Sequence, residues 1–211
     1  MANLVWYVSY GSNLDKDRFM CYINGGRPEG SSKSERGCRD KTPPKASKTA
    51  TIPFPLYFAK QSFRWDNKGV AFIGLTKTEI QQEQALGRMY LINEEQFICI
   101  VSQENGNSNI SIDLDEVKRN GSKVFKKKSW YGNIVYLGDK DGYPKFTFTI
   151  STDIGVEPFV APSDKYLRTL ISGLRQIYKL SKAELVKYLL EKPGVQGFYN
   201  SAQISSLINQ D

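Results

Sequence analysis

The sequence predicts an α+β fold, a small mixed β-barrel, closed or nearly closed, with short helices flanking it. Three observations lead there. Runs of strand length, apolar or alternating, recur between turn residues. Short segments of helical period, several opening on capping residues, interrupt them. A chain of 211 residues, 40% hydrophobic and 12% aromatic, can bury one good core and has neither internal repeats nor low-complexity tracts. The expected organisation is a single domain over residues 1–211, with a polar insertion at about 26–50 and a helical C-terminal extension at about 181–211.

The first element is a nearly continuous apolar strand, Leu4 to Tyr10, which runs into the small polar turn Gly11-Ser12-Asn13-Leu14. A helix follows, with Phe19, Met20, Tyr22 and Ile23 on one side, Asp15 as its expected N-cap, and Gly25-Gly26 as its stop. Such a strand-to-helix turn presents backbone N–H groups, and Gly11 permits close approach. It reads either as a carboxylate or phosphate site or as an ordinary tight turn. From Gly26 to Lys48 the chain is polar. Within it Glu35–Asp40 is either a lid offering Arg36 or Arg39 to an anionic substrate or a segment making local ion pairs.

Strands are expected at about 52–60, 69–76 and 84–92. Pro53 and Pro55 make the first an edge or irregular strand. Asn93 then caps a short helix with Gln96 at the capping-box position, and the helix runs out at Gln103-Glu104-Asn105-Gly106. The alternation of Ile110, Ile112 and Leu114 predicts a half-buried strand over 109–114. Residues 130–137 and 145–150 flank Gly138–Gly142 as a hairpin. Ser163 caps an amphipathic helix carrying Leu167, Leu170, Ile171 and Leu174, and a capping box at Ser181/Glu184 opens another that ends at Pro193-Gly194. The tail, with Phe198, Tyr199, Ile204 and Leu207, is expected to pack onto the body or onto a second copy in a homodimer.

The absence of histidine removes Ser-His-Asp, Cys-His and HExxH machinery, so any proton transfer falls to a carboxylate, lysine, cysteine or tyrosine. Cys21, Cys38 and Cys99 are odd in number and fit neither a disulfide framework nor a zinc site, which suits a reducing cytoplasm. No apolar run approaches membrane-spanning length and no signal-peptide order is present, so no membrane partner is expected. The net charge of +7 is spread along the chain except at Lys126–Lys128, with Trp130 and Tyr131 beside it. That cluster reads as a solvated, lysine-protected edge ahead of a nucleic-acid surface.

Three stretches in order are similar to the gamma-glutamylcyclotransferase-like family: Tyr10-Gly-Ser-Asn-Leu14 after the first strand, the Gly87-led strand with the helix ending at Glu104, and Pro162-Ser-Asp-Lys-Tyr166 with Ile171-Ser-Gly173. The resemblance implies a small mixed barrel in which the 10–14 turn holds the glutamyl end of a small γ-glutamyl substrate. It also implies that Glu104 is the acid/base group and that Tyr166 lies by the active site, with neither cofactor nor metal. The chain departs from the family at Val101 and Asn105, where an Asp and a Gly are usual. The implied reaction releases 5-oxoproline and a free amine or peptide. The alternatives are a non-catalytic binding protein on the same fold and, ranked last, a basic nucleic-acid-binding domain.

Overall fold

The structure is a computed structural model, and it describes residues 3–29, 31, 33–106 and 110–209. Along the chain come β1 (Leu4–Ser9), a 3-10 turn (Ser12–Leu14), α1 (Lys16–Asn24), β2 (Ala46–Ser62), a second 3-10 turn (Phe63–Trp65), β3 (Lys68–Ile73) and β4 (Gln84–Asn93). There follow α2 (Glu94–Glu104), α3 (Leu114–Asn120), β5 (Ser122–Val124), β6 (Asn133–Lys140), β7 (Tyr143–Thr149), α4 (Asp164–Ile177), α5 (Lys182–Leu190) and α6 (Ser201–Ile208).

The strands form a mixed sheet in the order β3-β2-β4-β1-β7-β6-β5. The α+β class is therefore as expected, but the sheet is open, with β3 and β5 at its ends, so the closed barrel is corrected to an open sheet. β1 runs parallel to β7, with Trp6 opposite Lys145 and Tyr7 opposite Phe146. The pairs β2/β3, β5/β6 and β6/β7 are antiparallel.

Two compact units are distinguishable, each assembled from three stretches. The first comprises Met1–Ser9, Asp17–Lys48 and Met89–Ser151; the second comprises Tyr10–Lys16, Thr49–Arg88 and Thr152–Asp211. The first unit is built on an aromatic cluster. The Tyr7 ring lies 5.4 Å from that of Phe148 and 6.0 Å from those of Phe19 and Phe97, while Phe19 stacks on Tyr90 at 3.7 Å. Phe19, Phe97, Ile100 and Val101 are completely buried, so α1 and α2 turn their apolar sides inward as their periodicity requires. In the second unit α4 buries Leu167, Leu170, Ile171 and Leu174 completely. The Ser163 hydroxyl caps that helix by accepting from Tyr166 N–H.

Several boundaries differ from expectation for physical reasons. β2 lies between β3 and β4, not at an edge. The prolines have no N–H to donate to the ladder, but their carbonyls accept, Pro53 from Thr78 N–H and Pro55 from Gly74 N–H. The strand is nevertheless irregular, with a register shift between Ala59 and Ser62 and a left-handed Lys60. The β6/β7 turn is shorter than foreseen: Asp141 and Gly142 both take positive φ, the signature of a two-residue hairpin, and Gly138 marks a bulge between Tyr136 and Asp139. In the expected strand over 109–114, Asn109 lies outside the described residues, residues 110–113 are not strand, and Leu114 opens α3. There the Asp113 side chain accepts from Glu116 N–H, and acidic residues at the start and basic ones at the end suit the dipole. Asp15 directly precedes α1, and one oxygen of its carboxylate accepts from Ser172 Oγ at 2.7 Å and Gln176 Nε2 at 3.0 Å.

Candidate active site

The expected substrate-binding residues Tyr10, Gly11, Ser12, Asn13, Leu14 and Tyr166 all belong to the second unit, and Glu104 to the first. The turn is anchored rather than loose. Asn13 and Leu14 are buried, and the chain closes on itself through Leu14 N–H to Gly11 O at 2.9 Å and Asp15 N–H to Ser12 O at 3.3 Å. Arg88 Nη1 donates to Leu14 O at 3.1 Å and to Gln176 Oε1 at 2.8 Å, and the same Gln176 oxygen accepts from Lys16 N–H at 2.9 Å. α4 therefore grips both ends of the segment through Ser172, Gln176 and the Asp15 carboxylate.

Two glycines make this fit possible. A Cβ on Gly173 would lie 2.4 Å from both Asp15 N and Leu14 C, so only a bare Cα lets the turn sit against α4. A Cβ on Gly11 would stand 3.1 Å from the Tyr166 hydroxyl oxygen. That hydroxyl accepts from Ala71 N–H at 3.1 Å, and its ring is held edge-on by Trp65 at 4.7 Å and Phe58 at 6.1 Å. Tyr166 is thus the buried aromatic of a capped helix, with its hydroxyl beside Gly11 of the turn. Among the described residues, neither Gly11 N–H nor Ser12 N–H meets a protein acceptor, and both residues are half-exposed.

In the first unit Glu104 is the last residue of α2, half-buried. The capping box that starts this helix is in place: Asn93 Oδ1 accepts from Gln96 N–H at 2.8 Å and Gln96 Oε1 from Asn93 N–H at 3.2 Å. At the other end Asn105 Nδ2 donates to Val101 O at 2.8 Å and to Tyr131 O at 3.1 Å, and Ser129 Oγ donates to Asn105 Oδ1. Asn105 thereby finishes the helix with its side chain, while Gly106 takes the left-handed conformation. Glu95 is committed elsewhere, to both nitrogens of the Arg39 fork at 2.9 Å each. In the same segment Glu35 lies 4.0 Å from Arg18, both buried.

A cavity of about 760 Å³ in the first unit is lined by residues including Asp40, Lys45, Asn93, Glu94, Lys118 and Tyr143, without Glu104. A smaller one of about 480 Å³ in the second unit is lined by residues including Asp66, Ser163, Asp164, Phe198 and Tyr199. Sequence reasoning had no means of finding Arg88 and Gln176, whose roles depend on contacts 74 and 88 positions apart.

The architecture is that of an α+β protein built on a mixed sheet, and two solved structures share it. An uncharacterized protein from Homo sapiens superposes with a TM-score of 0.52 at 16% identity, covering 98% of this chain and 99% of that one. A gamma-glutamyl cyclotransferase superposes with a TM-score of 0.50 at 14% identity, covering 99% and 100%. The chain has the gamma-glutamyl cyclotransferase fold. Histone deacetylase 5 of Arabidopsis thaliana is 37% identical over 203 residues, which is 88% of this chain and 30% of that protein. The chain thus spans 30% of the length of the relative it matches, whose named activity is that of a much longer protein. No family model matches the chain.

Proposed function

We propose that the protein is a cyclotransferase acting on a γ-glutamyl amine or peptide. The observation that carries this reading is the Gly11–Leu14 turn. It is fixed by Arg88 and Gln176 and backed by Tyr166, and it leaves the Gly11 and Ser12 amides for the glutamyl α-carboxylate. The Ser12 hydroxyl would add a donor. The glutamyl α-amine attacks its own γ-carbonyl, forming the ring C–N bond. Glu104 takes a proton from the attacking nitrogen and returns one to the leaving nitrogen as the old amide bond breaks. The products are 5-oxoproline and a free amine or peptide. Holding amine and carbonyl together supplies much of the rate by proximity, so few side chains are needed.

The test is release of 5-oxoproline from a panel of γ-glutamyl amines and peptides by wild type, Glu104→Gln and Glu95→Gln. Removing a general acid/base group costs about a hundred- to ten-thousand-fold. The expected result is a fall of that size for folded Glu104→Gln and near-normal turnover for Glu95→Gln, whose carboxylate is spent on Arg39. Undiminished release by Glu104→Gln would move the acid elsewhere. A second reading, binding without turnover, is favoured by Val101, which is apolar and fully buried where the family resemblance calls for an aspartate. Saturable binding of panel members with no 5-oxoproline formed would decide for it.

A further inference from the structure

Cys38 and Cys99 lie 61 positions apart in sequence, yet they meet in the first unit. One side-chain amide joins them: Gln103 Nε2 stands 3.3 Å from Cys99 Sγ and 3.9 Å from Cys38 Sγ. Cys99 Sγ is also 3.6 Å from the carbonyl oxygen of Gly37, the residue bonded to Cys38. Both thiols are free. The pair is asymmetric: Cys38 is buried, its sulfur 3.3 Å from the Tyr22 carbonyl oxygen, whereas Cys99 is half-exposed on α2. The backbone on both sides is fixed. Cys38 N–H donates to Ile23 O at 2.9 Å, Gly37 N–H to Gln103 Oε1 at 3.2 Å, and Gln103 Nε2 to Tyr22 O at 2.9 Å.

We propose that Cys38 and Cys99 form a peroxide-responsive dithiol that closes to a reversible intramolecular disulfide, with Cys99 the attacking and Cys38 the resolving sulfur. Accessibility assigns the roles, since only Cys99 is open to a reagent from solvent. Its surroundings suit a nucleophile. The neighbouring Cys38 thiol holds Cys99 below the ordinary thiol range, at about 7, with Gln103 and the Arg36 guanidinium acting the same way against burial. The Cys38 thiol is pushed up by its Cys99 neighbour and by burial, which keeps it protonated until Cys99 has reacted. A metal site is the other use two cysteines could have. Among the described residues, however, no group of three His, Cys, Asp or Glu side chains could hold a metal ion.

The chemistry balances with a hydroperoxide as oxidant. The Cys99 thiolate attacks the terminal oxygen; the S–O bond forms, the O–O bond breaks, and the alkoxide or hydroxide leaves with a proton from solvent. The Cys38 sulfur then attacks the sulfenic sulfur; the S–S bond forms, the S–O bond breaks, and hydroxide takes the Cys38 proton and leaves as water. Two thiols lose two electrons, and the peroxide gains them. A small dithiol reverses the change by exchange through Cys99.

The experiment treats the whole native chain with an equivalent of hydrogen peroxide, quenches with an alkylating reagent, and maps peptides without reduction. The expected result is loss of two of the three titratable thiols, an intact mass lower by two hydrogens, and a Cys38–Cys99 linked peptide that dithiothreitol removes. Cys21→Ser should form the same link. Cys38→Ser should stop at a Cys99 sulfenic acid that dimedone traps, and Cys99→Ser should resist mild peroxide. Preferential oxidation of Cys21, links only between chains, or three thiols still titrating after treatment of the folded wild type would each overturn the proposal.

Discussion

Lys192 is the residue whose environment departs furthest from what its type prefers. It is completely buried, donates to Gln82 O at 2.5 Å and to Gln84 O at 3.1 Å, and sits 4.4 Å above the Tyr188 ring. Burial brings its ammonium down to about 8, against the opposing pull of Glu191 and Glu83. The folded protein therefore binds this proton less tightly than the unfolded chain does. The cost of charging it is present in full below about pH 8 and is relieved as pH rises toward the unfolded value near 10.5. We expect urea unfolding to show stability rising across that window, by up to about 3 kcal/mol from this group. In Lys192→Met that contribution should vanish. Cys99 gives a slope of the same sign from about pH 7, and the comparison of the two proteins subtracts it. Above about pH 9 the raised Cys38 thiol, and above pH 10 the raised phenols of the half-buried Tyr178 and Tyr188, oppose the trend in both proteins. Equal slopes in wild type and variant would show that Lys192 is not the group responsible.

At the scale of elements, the contact between α4 and the 12–14 turn sets the position of the candidate site, and Gly173 is where it can be tested. Replacing a helix-interior glycine by alanine normally gains about 1 kcal/mol from helix propensity. Here the new Cβ would lie 2.4 Å from backbone atoms of Leu14 and Asp15, which no rotamer can relieve. Overpacking of this kind costs about 1–3 kcal/mol or more, so the clash outweighs the propensity gain. Gly173→Ala should lower the urea midpoint, and an unchanged or higher midpoint would mean that the turn moves without cost. The same contact marks the limit of what the sequence makes legible. Helix starts at Asn93, Ser163 and Ser181 were readable because a cap is satisfied within four residues. So was Glu104 at the end of α2, and the glycine stop after α1. α3 was not foreseen, because the three alternating apolar residues up to Leu114 read as a strand and hid the Asp113 cap and the Gly121 stop. The interior position of β2, the Asp15 carboxylate turned to α4, and the meeting of Cys38 with Cys99 all depend on partners far along the chain, which no local pattern encodes.

For the whole molecule the governing quantity is charge. A net +7 invites a polyanion, yet much of the positive charge is answered locally. Lys48 pairs with Asp141 at 2.8 Å, Lys60 with Glu157 at 2.6 Å, Lys118 with Asp139 at 2.9 Å, and Lys123 with Glu116. The densest cluster, Lys126–Lys128, is exposed on a tight loop closed by Phe125 N–H and Lys126 N–H on Gly132 O. Tyr131, one of its two adjoining aromatics, is half-buried and packs against the Phe148 ring at 5.7 Å, part of the first unit's core. A cluster of three lysines with one aromatic turned inward has electrostatic attraction but little to read bases with. We therefore expect nucleic acid to bind weakly, in the range of about 10⁻⁴–10⁻⁶ M or poorer, without sequence preference. Neutralising about three phosphates gives a log-log salt slope near −3 on duplex DNA, enough to cut affinity by more than tenfold between about 50 and 200 mM salt. Fluorescence anisotropy with labelled single-stranded and duplex oligonucleotides across that range measures it, and replacing the three lysines by glutamine should flatten the slope. A complex that survives the higher salt and discriminates between sequences would instead require a built base-reading surface, and would place the nucleic-acid reading ahead of the cyclotransferase one.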